Sequence, residues 1–119
     1  MSRSPVDYLR HILDEVEYLE EQSKALSKKA FLEDETLKRA FVRSLEIIGE
    51  AAKNLPREFC DQYPNVPWRA LARMRDRLIH GYFGVDYDIV WDVIESKIPE
   101  LRSTLLAILK DLKLEPPRL

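Results

Sequence analysis

Cysteine and histidine are scarce in this sequence, which has only Cys60, His11 and His80. A single cysteine excludes an internal disulfide bond, and two distant histidines with one cysteine make an ordinary zinc site improbable. Cys60 has neither a neighbouring base nor a C-x-x-C partner. We therefore expect a half-buried apolar side chain there rather than a reactive thiol.

Glycine and long apolar runs are also lacking. The three glycines form no phosphate-binding loop, and the chain has no H-E-x-x-H motif. No apolar run approaches the roughly 20 residues of a membrane helix. The first residues, MSRSPVDYLRHILDEVEYLEE, carry charges every few positions and contain no apolar signal segment. These absences predict a cytoplasmic protein without a membrane partner.

Apolar residues recur at helical spacing, and no segment alternates as a strand would, so the fold class is all-α. We expect a single domain over residues 1–119, with its core at about 5–112. Caps and prolines predict helices from Pro5 to about 27, from Asp34 to about 55, from Pro67 or Trp68 to Gly81, from Asp86 to a break or kink at Pro99, and from Leu101 to Leu112. A helical turn is also possible at 57–62. Short connections then favour an up-down four-helix bundle with an additional C-terminal helix.

A basic island interrupts a chain of net charge −2. Between Arg69 and His80 there are four arginines and one acid, Asp76, so this stretch carries +3 with histidine neutral, and the rest carries −5. Such an island on an acidic protein favours a phosphate-bearing ligand over a general DNA-binding surface.

Arg75 occupies an unexpected place on the third helix. At about 100° per residue, it falls inside the apolar arc formed by Trp68, Leu71, Ala72, Met74, Leu78 and Ile79. A buried guanidinium must be paired, and the candidate acids are Glu46, Glu50, Asp86 and Asp92. Alternatively, Arg75 faces a cleft, formed with a second subunit, and binds phosphate there. The two interpretations are compatible.

His80 would lie about 140° from Arg75 on an ideal helix, so the two would not face one ligand from a single stripe. A second copy of the motif from a two-fold partner could bring them together, which is a physical reason to expect a dimer. Alternatively, His80 is a polar residue that stabilises the end of the helix dipole. Tyr82 could pack under the bundle or expose its hydroxyl.

The motif formed by Arg75, His80 and Tyr82, written RDRLIHGY, resembles the arginine-to-histidine motif of HEPN domains, and more closely the HepT toxins. The stretches IIGEAAKNL, PWRALARMRDRLIHGYFGVD and DIVWDVIESKIPEL extend this resemblance over about residues 5–112. The agreement across three helices makes it far more specific than an arginine and a histidine at this spacing alone.

The resemblance implies a HEPN bundle and a metal-independent endoribonuclease, the toxin of a type VII-like pair whose antitoxin is a minimal nucleotidyltransferase. By matching position, Arg75 and His80 are the catalytic residues in a cleft of a homodimer, and Asp76 is the polar residue after the arginine. Tyr82 is the residue that receives AMP from the antitoxin, which silences the toxin. RNA, including tRNA, is the implied substrate, and no cofactor is implied.

The residue types suit this chemistry. Cleavage of RNA without a metal needs a group that moves protons near neutral pH, as His80 could, and a fixed cation for the phosphorane charge, as Arg75 could supply. Arg69, Arg73 and Arg77 could bind backbone phosphates. DNA lacks the attacking 2′-hydroxyl and should not be cut.

Three alternatives differ in what these residues do. A non-catalytic module that binds a nucleotide or a nucleotidyltransferase needs Arg75 as an anion clamp but not His80. A purely structural dimerising bundle makes Arg75 an internal ion pair. A magnesium site at Asp86, Asp88 and Asp92 is less economical than a helix cap with first-turn acids.

Overall fold

The computed structural model describes residues 4–80 and 84–114. The first helix, α1, spans Pro5–Ser23. It begins with the predicted cap, in which the Ser4 hydroxyl accepts from the Asp7 amide and the Asp7 carboxylate accepts from the Ser4 amide at 3.1 Å. The helix was expected to reach residue 27, but Ser27 instead caps a separate short helix, α2, at Lys28–Glu33. A serine cap satisfies orphan amides and so favours a new start over continuation.

Helix α3 spans Glu35–Lys53 and begins at the predicted cap, Asp34. It runs antiparallel to α1. The ring of Tyr18, late in α1, meets that of Phe41, early in α3, at 6.3 Å, whereas the Ser44 hydroxyl donates to Glu15 at 2.7 Å. The up-down arrangement expected for consecutive helices is therefore present in this pair.

The third predicted helix is not continuous. After a short helix α4 at Arg57–Gln62, which confirms the predicted turn, the chain forms α5 at Trp68–Ala72 and α6 at Met74–Leu78. Arg73 lies between them with φ −99° and ψ 14°, outside the helical region. The prediction of one helix ending at Gly81 was wrong, because Arg73 interrupts it and Ile79 already has an extended backbone.

The last helical run contains a widened turn. Helix α7 spans Tyr87–Asp92, a π-helical turn follows at Val93–Lys97, and α8 spans Ile98–Asp111. The Ile98 amide donates to the Val93 carbonyl, five residues back. A proline in a helix clashes with the carbonyl four residues before it, and the π turn accommodates Pro99 within the helical run. The expected break is thus a local change of helix type, and α8 continues directly from α7.

The core is one cluster to which nearly every helix contributes. Within it, the ring of Phe31 stacks on Phe41 with centroids 5.1 Å apart and lies tilted against Trp91 at 5.3 Å. The all-α bundle predicted from the sequence is confirmed, and the described residues contain no strand beyond one isolated pair, Ile79 with Val85. No helix among residues 4–80 and 84–114 is long and apolar enough to cross a membrane.

Candidate functional site: an arginine helix and a histidine hairpin

Gly49 allows the α5–α6 pair to lie close against α3. A Cβ atom at this position would come within 2.8 Å of the Leu71 carbonyl oxygen, closer than real side chains come to backbone. Leu71, Met74 and Leu78 point inward from α5 and α6 and are buried. The glycine and these three apolar side chains therefore fix the position of the segment that carries the arginines.

Arg75 is not buried, contrary to its place in the predicted apolar arc. Its side chain is 74% exposed, and its Nε lies 3.9 Å from Glu46 Oε2, on α3. The helical wheel failed because it assumed one uninterrupted helix, whereas α6 is five residues long and begins after the irregular Arg73. Of the four acids named as candidate partners, Glu46 is the one that contacts Arg75. The guanidinium of this ion pair remains accessible to solvent.

Four further polar residues of the island are exposed, namely Arg69, Arg73, Asp76 and Arg77. Within the described residues, none of these three arginines forms an ion pair. Their charges therefore remain available to an anionic ligand.

His80 lies outside the helix, in a short hairpin, rather than at a frayed helix end. Its backbone N–H donates to the Gly84 carbonyl at 2.8 Å, and the Asp86 amide donates to Leu78 at 2.8 Å. Gly84 has φ +76°, a conformation that favours glycine, and it positions the returning chain. The angle of about 140° between Arg75 and His80 therefore does not apply, since it assumed a helical backbone. Residues 81–83, including the expected AMP acceptor Tyr82, lie outside the described residues.

His80 is exposed and lines a shallow cavity of about 460 Å³ with residues 84–88. Arg75 is not among the described residues that line it. Arg75 and His80 therefore lie on adjacent segments, and of the two only His80 is among the described residues that line this cavity.

Polar contacts position residues 86–88, which line this cavity. The Asp86 carboxylate caps α7 by accepting from the amides of Asp88 and Ile89, at 3.1 and 3.2 Å. Asp88 pairs with Lys28 at 3.0 Å and raises the pKa of that ammonium group. No group of three or more histidines, cysteines or acids among the described residues could hold a metal ion.

Cys60 lies half-buried on α4. Burial raises the pKa of its thiol, so the protonated form is favoured near neutral pH. This environment agrees with the expected role of Cys60 as a small apolar side chain.

A second groove was not anticipated from the sequence. It has a volume of about 410 Å³ and lies where α5 and α6 face the π turn and α8. Arg77 lies on one side of it and Lys97 on the other. The signal that could have drawn attention to it was Pro99, because a proline inside a strongly apolar helical run predicts local distortion.

Comparison with known proteins identifies the family to which this geometry belongs. A family model described as "Ribonuclease HepT-like" matches residues 12–108. The chain belongs to this HepT-like family. The matched residues include Glu46, Arg75 and His80.

Individual relatives support the same assignment. The chain is 54% identical over 108 residues to "Putative RNase TTE0752" of Caldanaerobacter subterraneus subsp. tengcongensis, covering 91% of this chain and 96% of the relative. It is 46% identical over 102 residues to "Probable ribonuclease HepT" of Thermococcus cleftensis, covering 86% and 93%. It is 42% identical over 106 residues to "Putative RNase MJ0127" of Methanocaldococcus jannaschii, covering 89% and 88%. No solved structure gives a significant match.

Proposed function

We propose that this HepT-like protein is a metal-independent endoribonuclease in which Arg75 and His80 are the catalytic residues. The observation that supports this proposal most strongly is the exposure of Arg75. Its guanidinium lies on a short helix, open to solvent, with an ionic contact to Glu46 at 3.9 Å. The structural alternative required Arg75 to form an internal ion pair, whereas this guanidinium is open to solvent and therefore to a phosphate. The names of the relatives support RNA as the substrate class.

The reaction requires no group beyond RNA and these side chains. His80 takes the proton of a 2′-hydroxyl, and the 2′-oxygen forms a bond to the adjacent phosphorus. Arg75 stabilises the negative charge that collects on the phosphorane oxygens. The bond from phosphorus to the 5′-oxygen then breaks, that oxygen takes a proton from water, and His80 releases its proton to solvent. The products are a 2′,3′-cyclic phosphate and a 5′-hydroxyl.

The remaining charges of the island position the strand. Arg69, Arg73 and Arg77 are exposed and bind backbone phosphates, which fixes the strand without reading its sequence. Asp76 is an exposed polar residue beside Arg75 and is an auxiliary member of the site. DNA binds these arginines but is not cut, since it has no 2′-hydroxyl.

The active cleft is formed between two copies of the chain. In one copy, Arg75 does not line the cavity that contains His80. A homodimer with two-fold symmetry brings Arg75 of one copy opposite His80 of the other and so completes two equivalent sites.

The activity is controlled by a nucleotidyltransferase antitoxin that attaches AMP to Tyr82, as the sequence motif implies. The AMP group adds a negative phosphodiester and a bulky nucleoside two residues from His80, so it competes with RNA for the arginines. Mass spectrometry after treatment with the cognate transferase and ATP should find AMP on Tyr82. Modification confined to other residues would refute this assignment.

The alternative is a non-catalytic module that binds a nucleotide or a nucleotidyltransferase. The apposition of Arg77 and Lys97 across a groove favours some form of nucleotide binding, but it does not call for a histidine at position 80. The two functions therefore differ in what substitution of His80 does.

The first experiment is incubation of the protein with total cellular RNA, tRNA included, in EDTA, followed by mapping of product ends. Arg75→Ala and His80→Ala should each lower the cleavage rate by about 10²-fold or more, because each removes a group that acts in the transition state. Arg57→Ala and His11→Ala, exposed residues on other helices, are matched controls and should cleave normally.

Three results would contradict the proposal. Intact RNA with unmodified, dimeric protein would favour the non-catalytic module. Loss of cleavage in EDTA that a divalent metal restores would overturn the metal-independent mechanism, as would equal cleavage of a matched DNA strand.

A further inference from the structure

Apart from Arg77, the residues of the groove between α5–α6 and α8 have no part in the proposed cleavage mechanism. One wall comes from Ala70, Leu71 and Met74, and the other from Val93, Ile98 and Leu101. Its volume of about 410 Å³ falls within the range of small-molecule sites, roughly 300–1,000 Å³. The interior is mostly apolar, so it suits a flat ligand with apolar faces.

The described residues that line the groove include two cations and one acid. Arg77 and Lys97 flank the groove, and neither forms an ion pair with any residue in the described part of the chain. Glu100 is the one carboxylate among the described lining residues. The Thr104 hydroxyl donates to the Glu100 carbonyl at 3.0 Å, which leaves its oxygen lone pairs able to accept from a ligand.

The π-helical turn is part of this construction. Val93 and Lys97 are its first and last residues, and both line the groove. Single π turns inside α-helices frequently occur at functional sites, because they change the direction in which side chains point. The turn that accommodates Pro99 therefore also forms one wall and one cation of the groove.

We propose that this groove binds one nucleotide of the RNA strand, outside the cleavage site itself. The base lies between Met74 and the α8 side chains, its polar edge meets Thr104, and its phosphate is bound by Arg77 and Lys97. This inference rests on the proposed function, since the strand in the groove is the strand being cleaved. Charge complementarity carries the choice of occupant: two unpaired cations beside an apolar slot match the phosphate and base of a nucleotide. Arg77 and Arg75 lie two residues apart on α6, about 200° around the helix, so the groove lies on a different side of α6 from Arg75.

Met74 provides a direct probe. The chain has two methionines, Met1 and Met74, so selective ¹³C-methyl labelling gives two assignable signals, one of them from the groove wall. Short 2′-O-methyl RNA oligonucleotides have no free 2′-hydroxyl, so they bind without being cut. Titration with such an oligonucleotide should shift the Met74 signal and leave that of Met1 unchanged.

Matched variants test the two halves of the site. Ala70→Phe fills the groove from an exposed position, and Lys97→Glu reverses one cation. Each should weaken oligonucleotide binding by about tenfold or more, because a base slot or a phosphate contact is lost. Ala107→Phe and Lys110→Glu, exposed positions of α8 outside the groove, should bind as the unchanged protein does. Thermal melting verifies that all four variants fold.

The outcomes separate this inference from the proposed function. RNA that is bound and cut without any shift of Met74 overturns the nucleotide site and leaves the nuclease standing. If the Met74 signal shifts with protein concentration in the absence of RNA, the nucleotide site is also overturned, because a second copy of the chain then covers the groove. If Met74 responds as expected but no RNA is cleaved, the groove stands as a nucleotide site and the nuclease proposal fails.

Discussion

At the scale of single residues, Arg75 illustrates how one backbone irregularity changes the energetics of a charge. A buried, unpaired guanidinium would destabilise the fold by several kcal/mol. In the structure, three quarters of its side chain is exposed, and water solvates the charge. Its contact with Glu46 therefore positions the guanidinium more than it stabilises the fold.

Arg75→Ala should lower the free energy of unfolding by less than about 1 kcal/mol, the usual value of an exposed ion pair. Urea denaturation of the unchanged protein, Arg75→Ala and the partner variant Glu46→Gln measures this directly. A small effect means that loss of cleavage in Arg75→Ala is a loss of chemistry rather than of folding. A loss of about 3 kcal/mol or more would show that Arg75 is enclosed in the folded protein after all.

At the scale of elements, two local features determine where the site lies, namely the close approach at Gly49 and the π turn before Pro99. Gly49 lets α5 rest on α3 with backbone nearly in contact, and the π turn lets Pro99 remain within a helical run. The caps at Ser4, Asp34 and Asp86 were predictable, because a side chain that accepts from nearby amides acts locally. The break at Arg73 was not, because it depends on how α5 and α6 dock on the bundle.

Gly49→Ala tests the close approach of α5 to α3. Alanine favours an isolated helix by about 1 kcal/mol over glycine, but here the added Cβ must displace the Leu71 carbonyl. We expect a net loss of about 1–3 kcal/mol in unfolding free energy, as for overpacked cores. Because α5–α6 must shift, RNA cleavage should also fall, by up to about 10²-fold for a displacement near 1 Å.

Glu50→Ala is the matched control for this substitution, since it adds the same alanine to the exposed face of the same helix. Its unfolding free energy should change by no more than about 0.5 kcal/mol. If the unfolding free energy of Gly49→Ala equals or exceeds that of the unchanged protein, the space between α3 and α5 is large enough for the added methyl group.

At the scale of the whole molecule, the question is whether one copy of the chain can form the site. The described cavity around His80 does not include Arg75. The proposed dimer supplies the missing group from a second copy.

Mixing the inactive variants Arg75→Ala and His80→Ala tests this arrangement. If each site combines Arg75 of one copy with His80 of the other, half of the randomly exchanged dimers regain one intact site, and about a quarter of the normal activity returns. Subunit exchange should be verified by sedimentation of labelled chains. If the subunits have exchanged and the mixture remains inactive, each copy instead contributes both residues of its own site.

The sequence by itself determined the helical fold class, the caps, the basic island and the family, because these depend on periodicity, on neighbours in the chain and on characteristic motif residues. Only the tertiary structure decided that Arg75 is exposed, that Glu46 is its partner, that His80 lies in a hairpin and that Arg77 and Lys97 flank one groove. A helical wheel extrapolates an ideal backbone. At Arg73, Gly84 and Val93–Lys97 the backbone departs from that ideal, because α5 and α6 dock separately on the bundle, Gly84 adopts a positive φ and the π turn accommodates Pro99. These departures determine where the arginines, His80 and the groove lie.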